Sequence, residues 1–127
     1  MSSQDIIENM AHWVSSFSED TSKNICSLYD EQASLWATLS PIKRDSASLI
    51  KDYFNQIFKY SNRYVEITDS NIRLFGDVAI CNGQYTFSWF NKDVKVITAA
   101  RFSFVYINKE GNWLIIEHHS SFIPLVT

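Results

Sequence analysis

The chain has 127 residues, 46% of them hydrophobic, which is the size of one domain with a sizeable buried core. Eleven Lys and Arg residues stand against fourteen Asp and Glu residues, for a formal charge of -3 without a basic cluster, so we expect no nucleic-acid partner. Polar residues interrupt every apolar stretch before the roughly 20 residues of a membrane span, so we expect no membrane contact. Residues 1–10 lack the features of a secretory signal, so we expect a cytoplasmic protein. The length predicts one domain over residues 1–127.

Helical spacing of apolar residues dominates the first half of the chain. It predicts a helix over residues 3–17 and a second short helix after a cap at Thr21. A brief strand is expected over residues 33–39, ended by Pro41. Asp45 is a suitable N-cap for a third helix, because a dense apolar face runs from Leu49 to Phe58.

The period of the apolar residues changes to two after Ser61. Four successive strands are predicted at residues 64–75, 78–90, 94–107 and 113–122, joined by short links of the kind that form tight antiparallel hairpins. Three helices followed by such strands predict an α+β fold. Because long strands twist, we expect a cone-shaped, curved antiparallel sheet wrapped around the N-terminal helices, with a pocket that the helices fill incompletely.

The cysteine, histidine and serine patterns give no sign of a metal or nucleophile site. Cys26 and Cys81 lie in a predicted helix and a predicted strand without CxxC spacing, which indicates small buried apolar groups, with a disulfide or a reactive thiol as the alternative. No cluster of His, Cys and carboxylate residues has metal-ligand spacing, so we expect no metal and no other cofactor. Ser120 and Ser121 lack the strand-turn-helix context of an activated serine.

Ionisable groups concentrate in the C-terminal hairpin. Arg101 lies within an apolar strand segment between Ala100 and Phe102, where a fixed charge must be paired or must face a wet cavity. Arg101 is therefore a candidate to bind an anionic ligand. A structural ion pair with Glu117 is the alternative.

His118 and His119 are neighbours on one strand and must face opposite sides, so only one of them can line a pocket. A three-residue loop at 109–111 would place Arg101 opposite His119. A two-residue turn at Glu110-Gly111 would instead place Arg101 opposite Ser120, with His118 diagonal to it. Both registers stay open, as do ligand-binding and purely structural roles for either histidine.

Tyr53, Tyr85 and Trp36 combine an apolar body with a polar tip, which suits them to orient a small ligand inside a cone. Simple core packing is the alternative for each of them.

Several local sequences match a known family. The matching segments are Leu28-Tyr29, Thr38-Leu39-Ser40, Tyr53-Phe54, Tyr85-Thr86-Phe87, Ala100-Arg101-Phe102, Val105-Tyr106, Gly111, Trp113 and His118-His119-Ser120-Ser121. In these the chain resembles stand-alone bacterial relatives of the calcium/calmodulin-dependent protein kinase II association domain, within the nuclear transport factor 2-like, SnoaL-like superfamily. The resemblance implies a cone-shaped fold with a pocket, and association through the outer surface of the sheet, commonly as dimers.

The resemblance also sets limits on function. The chain has no Gly-rich loop, His-Arg-Asp or Asp-Phe-Gly signature, so kinase activity is not implied. The eukaryotic association domains carry arginines in their pocket, whereas this chain has Phe104 and Ser120 at positions that align with some of them.

Three hypotheses of function follow. The first is a homo-oligomer, most commonly a dimer, that binds a small polar or anionic molecule held by Arg101. The second is an enzyme of the isomerase, cyclase or dehydratase type, with His118 or His119 as general base and Tyr85 or Arg101 stabilising an enolate. The third is a structural assembly module whose dimer face includes Val105, Trp113 and Ile115.

Overall fold

The computed structural model describes residues 3–124, which form three helices and one five-stranded sheet. The elements are α1 (Ser3–Ser16), α2 (Lys23–Ser27), β1 (Tyr29–Trp36), α3 (Ala47–Ile57), β2 (Ser61–Phe75), β3 (Val78–Asn91), β4 (Val94–Lys109) and β5 (Asn112–Phe122). The predicted α+β fold class, with a curved sheet around N-terminal helices, is confirmed. None of the helices within residues 3–124 combines the length and apolar content needed to cross a membrane.

The strand order of the sheet is β1-β5-β4-β3-β2. The three hairpin pairings of β2, β3, β4 and β5 are antiparallel, as predicted. β1 differs from the prediction, because it begins at Tyr29 and pairs with β5 in parallel. Its earlier start follows from α2, which ends at Ser27 and leaves the next residues free to extend.

The helix caps also differ from the sequence prediction. The N-cap of α3 is Ser46, whose hydroxyl accepts a hydrogen bond from the backbone N–H of Leu49 at 3.2 Å. Asp45 instead pairs with Lys43 at 3.5 Å in an exposed position. At the start of α2 the N-cap is Ser22 rather than Thr21, and it makes no side-chain cap bond.

The core lies between the helices and the concave face of the sheet. α1 contributes Ile6, Met10 and Trp13, and α3 contributes Ile50, Phe54 and Ile57. Trp113 and Ile115 belong to this core, so their predicted place on an outer dimer face is wrong.

Both cysteines are free thiols. Burial raises the pKa of Cys26, and it raises the pKa of Cys81 to about 11. The thiols therefore stay protonated at neutral pH and behave as small apolar groups.

The Arg63 side chain links the C-terminal ends of α1 and α3 to β2. Its guanidinium donates to the backbone carbonyls of Phe17 at 3.1 Å, Phe58 at 3.0 Å and Tyr60 at 2.6 Å, and also to that of Glu19. These carbonyls follow the ends of α1 and α3, where the helix dipole is negative. The guanidinium also lies 3.9 Å from the centre of the Phe58 ring.

We expect Arg63→Met to lower the free energy of unfolding by about 2–4 kcal/mol, because it removes donors from several helix-terminal carbonyls at once. Urea unfolding monitored by circular dichroism measures this. Arg73→Met is the matched control, since Arg73 lies on the same strand with an exposed side chain. Equal stability of the two variants would contradict this role of Arg63 in linking the helix ends to β2.

Candidate functional site

The β4–β5 hairpin decides which polar groups enter the cone. Its turn is the two-residue Glu110-Gly111, with φ of 54° and 89°, and Lys109 pairs with Asn112 across it. Positive φ at both turn residues is typical of a type I′ turn, which matches the twist of the flanking strands.

A β-bulge interrupts β5 just after this turn. Tyr106 lies opposite Ile115, yet Val105 lies opposite Glu117, so Ile116 is an extra residue on β5. The extra residue shifts the pairing by one position for the remainder of the hairpin. The register of the two-residue turn therefore holds only as far as Tyr106 and Ile115. Beyond the bulge Arg101 lies opposite Ser121, which neither register predicted, although Arg101 does share a face with His119 as the three-residue loop implied.

The shifted register sorts the polar residues of β5 onto two faces. His118 lies opposite Phe104 and is buried, with 3% of its surface exposed. His119 lies opposite Ser103 and is exposed on the outer face. Ser120 is buried beside the core in the same way as His118.

A cavity of about 30 Å³ remains between the helices and the concave face. Its walls are mainly aromatic and aliphatic side chains, and its polar lining residues include Thr38, Tyr53, Tyr85, His118 and Ser120. No Asp, Glu, Lys or Arg of residues 3–124 lines it. The volume is enough for a very small number of water molecules.

Four of the seven predicted site residues come together at this cavity, namely Tyr53, Tyr85, His118 and Ser120.

Arg101, His119 and Trp36 lie elsewhere. Arg101 is exposed on the outer face, between Gln84 and Ser121, and it has no ion-pair partner within residues 3–124. The expectation that Arg101 holds an anion inside the cone is therefore wrong, and so is its alternative pairing with Glu117.

Trp36 and His119 both face the outer side of the sheet. These two residues lie opposite each other on β1 and β5, and Trp36 is 46% exposed. The expectation that Trp36 and His119 line the pocket is wrong, because both side chains alternate to the outer face.

A continuous chain of hydrogen bonds runs across the concave face. Its six members, called here the polar chain, are Trp13, Tyr29, His118, Tyr85, Ser120 and Thr38.

The first half of the polar chain links α1, β1 and β5. The indole N–H of Trp13 donates to the Tyr29 hydroxyl at 3.1 Å. The same hydroxyl lies 2.8 Å from Nδ1 of His118.

The second half leads to the cavity. Nε2 of His118 lies 3.2 Å from the Tyr85 hydroxyl, which donates to Oγ of Ser120 at 2.6 Å. Ser120 in turn shares a short hydrogen bond with Oγ1 of Thr38. Each polar atom of the chain therefore has a partner inside an otherwise apolar environment, as burial demands.

Burial keeps the polar chain uncharged. It lowers the pKa of His118 to about 3, and the neighbouring His119 adds a smaller effect in the same direction. It also raises the pKa of Tyr29 and of Tyr85 well above the usual tyrosine value. At neutral pH the site thus holds a neutral imidazole between two protonated phenols, which suits it to hydrogen bonding rather than to ion binding.

Comparison with known proteins agrees with this fold. Residues 2–124 match the family described as the calcium/calmodulin dependent protein kinase II association domain. The chain belongs to this family. No match was found among curated proteins.

Solved structures place this association-domain protein in a broader fold group. A protein from Xanthomonas campestris, described as a calcium/calmodulin dependent protein kinase II association domain, is 30% identical, with a TM-score of 0.91 over 99% of this chain and 91% of the other. A nuclear transport factor 2 (NTF2-like) superfamily protein from Salmonella enterica is 17% identical, with a TM-score of 0.86 over 98% and 92% of the chains.

A third structure is an NTF2-like protein with a cystatin-like fold from Novosphingobium aromaticivorans. It is 8% identical, with a TM-score of 0.80 over 95% of this chain and 81% of the other. The resemblance predicted from local sequence segments is confirmed.

Sequence reasoning missed three members of the polar chain of this association-domain protein. Trp13 was placed only within the predicted helix at residues 3–17, and Tyr29 was noted only in a family-matching segment, although a buried indole or phenol needs a hydrogen-bond partner and so indicates a polar contact. Thr38 lies in the segment after β1, and no periodicity marks it as a cavity residue. Within residues 3–124 no group of three His, Cys, Asp or Glu side chains is placed to hold a metal ion.

The pKa of His118 predicts a pH dependence of stability. The unfolded chain takes up a proton near pH 6.5, whereas the folded chain does so only near pH 3. Between these values the unfolded state binds more protons, so stability is fully present above about pH 6.5 and falls as the pH is lowered towards 3, by up to about 1 kcal/mol per pH unit.

Urea unfolding at several pH values between 4.5 and 7.5 measures this slope. We expect His118→Gln, whose amide can both donate and accept, to have a shallower slope than the wild type below pH 6.5. His12→Gln is the control, since His12 is exposed on α1. Identical slopes for the wild type and His118→Gln would show that His118 is not held neutral by the fold.

Proposed function

We propose that this association-domain protein binds a small, uncharged polar molecule in the cavity and associates into a dimer through the outer face of its sheet. The observation that carries the binding proposal is the convergence of Tyr85, Ser120 and Thr38 on one end of an otherwise aromatic cavity. Apolar walls with a few fixed polar groups are the usual design of a small-molecule site.

The charge of the lining residues supports an uncharged ligand. The cavity has no cationic side chain from residues 3–124, and Arg101 lies on the opposite face of the sheet. Burying an anion without a partner charge is costly. An anionic ligand, which the sequence also suggested, therefore receives no support from the geometry.

The size and mouth of the cavity limit the ligand further. Thr38 and Tyr53 are half-buried, whereas the other lining residues are buried. The route to solvent therefore lies between the segment after β1 and helix α3, which carry these two residues. The free space of about 30 Å³ holds only a few waters as it stands, so a compound of one ring enters only if the half-buried Tyr53 and the segment that carries Thr38 move outward and enlarge the cavity.

A library of uncharged one-ring compounds, screened by ligand-observed NMR, tests the binding proposal. We expect hits whose affinity falls about tenfold in Tyr85→Phe and Ser120→Ala, because each variant removes one hydrogen-bonding hydroxyl. Ser121→Ala is the matched control, since Ser121 is exposed on the outer face. The binding proposal fails if no compound binds, or if Ser121→Ala weakens binding as much as Ser120→Ala.

The dimer proposal rests on an apolar patch on the outer face of the sheet. It is called here the outer patch, and its half-buried members are Val78, Ile80, Val105, Ile107, Leu114 and Ile116. A contiguous apolar area on one sheet face is a common mark of a symmetric interface. A more polar surface that includes Arg101 and His119 borders this patch.

We expect sedimentation analysis to show a dimer at micromolar concentration, and Val105→Glu to shift it towards monomer by placing a charge in the outer patch. Ala11→Glu introduces the same charge on the exposed side of α1 and should leave the dimer intact. A wild-type monomer would refute the dimer proposal. A stable dimer without any ligand would favour the purely structural assembly module.

No specific observation favours the enzyme alternative with a histidine as general base. Both ring nitrogens of His118 are occupied by tyrosine hydroxyls, and its low pKa gives it little tendency to take up a proton. His119 faces away from the cavity.

A further inference from the structure

We infer that the polar chain presents a hydrogen-bond donor to the cavity, and that the site therefore selects uncharged ligands with an acceptor oxygen, such as a carbonyl compound. Trp13, at the far end of the chain, fixes this polarity. The inference rests on the proposed ligand binding at the same cavity and specifies the chemistry of the ligand.

Trp13 determines the direction of the first hydrogen bonds. An indole N–H can only donate, so the Tyr29 oxygen accepts from it. Tyr29 is buried, and the acceptor within reach of its own hydroxyl hydrogen is Nδ1 of His118. Nδ1 therefore accepts, and leaving this hydrogen unpaired would cost about 1–3 kcal/mol.

The His118 imidazole continues the same donor-to-acceptor direction along the polar chain. A neutral histidine whose Nδ1 accepts carries its proton on Nε2, so Nε2–H donates to the Tyr85 oxygen. The hydroxyl hydrogen of Tyr85 is consequently directed onwards to Oγ of Ser120. The bonds that link Trp13, Tyr29, His118, Tyr85 and Ser120 all run in one direction.

The chain ends with one hydroxyl hydrogen to spare. Ser120 already accepts from Tyr85, and Ser120 and Thr38 share a single hydrogen bond although they have two hydroxyl hydrogens. Whichever of the two donates to the other, one hydrogen is left over. Within residues 3–124 neither hydroxyl has a further hydrogen-bond partner, and both side chains line the cavity.

The other polar side chains of the lining do not oppose this polarity. The Trp89 indole is a donor only, and the Tyr53 hydroxyl can donate as well as accept. A ligand with an acceptor oxygen can therefore pair the spare hydroxyl hydrogen, whereas a ligand that only donates leaves that hydrogen unpaired.

The tautomer of His118 tests the polarity without any ligand. Long-range ¹H–¹⁵N NMR of the full, ¹⁵N-labelled chain at pH 7 should show His118 with its proton on Nε2. In Tyr29→Phe, which keeps the ring but removes the donor to Nδ1, we expect a mixture of tautomers. Trp13→Phe is a second variant with the same expectation. A proton on Nδ1 in the wild type would overturn the inference.

Two five-membered rings of similar size test the ligand class. Cyclopentanone offers only an acceptor and pyrrole only a donor. We expect ligand-observed NMR to show cyclopentanone binding at least about tenfold more tightly than pyrrole, a difference of one hydrogen bond. Tyr29→Phe should bring the ratio towards one, and Tyr64→Phe, the same substitution at an exposed position outside the cavity, should leave it unchanged.

The outcomes separate this inference from the proposed function. Equal or tighter binding of pyrrole to the wild type would overturn the acceptor preference while leaving a binding site. Hits from the one-ring library that exclude every acceptor compound would overturn it as well. If no compound binds at all, the proposed function fails, and the tautomer of His118 still decides the direction of the polar chain.

Discussion

A buried imidazole with two tyrosine partners is the constraint on which the interior of this protein depends. His118 belongs to β5, and its partners Tyr29 and Tyr85 belong to β1 and β3. β3 and β5 are not neighbours, because β4 lies between them, so the hydrogen bond between His118 and Tyr85 crosses the concave face rather than following the sheet. Sheet curvature and the position of the histidine are thereby coupled, since flattening the sheet would separate its partners and leave buried polar atoms unpaired.

Aromatic packing holds this arrangement in place. The Trp13 ring lies parallel to the Tyr85 ring, with centroids 5.6 Å apart, and Phe102 stacks on Tyr85 at 4.7 Å. The His118 ring lies 4.3 Å from that of Phe104. Rings packed in this way have few alternative rotamers, so the cavity walls that they form are held in one arrangement. Preorganisation reduces the entropy lost when a ligand binds.

Much of the architecture could be predicted from the sequence because periodicity reports which face of an element is buried. The two long helices and the four hairpin strands lie within a few residues of their predicted positions. The pairing of β1 with β5 could not be predicted in this way, because contacts between distant segments leave no local pattern. The family segments did identify the region of the site, including Tyr85, His118 and Ser120.

The orientation of individual side chains was predicted less well, and the reason is specific. Arg101 faces outward because its neighbours Ala100 and Phe102 face the core, whereas the faces of His118 and His119 depend on the bulge in β5. A bulge has no strong sequence signal, and it changes the face of every residue beyond it. A turn that is identified correctly can therefore still give the wrong set of cavity residues.

The bulge has a wider meaning for how such a domain can diversify. β5 carries two adjacent His and Ser pairs in alternation, His118 with Ser120 and His119 with Ser121. The single surplus residue at Ile116 directs the first pair inward and the second pair to the surface. Insertion or loss of one amino acid at that point is therefore enough to exchange interior and exterior chemistry along the end of the strand, with every other residue of the chain retained.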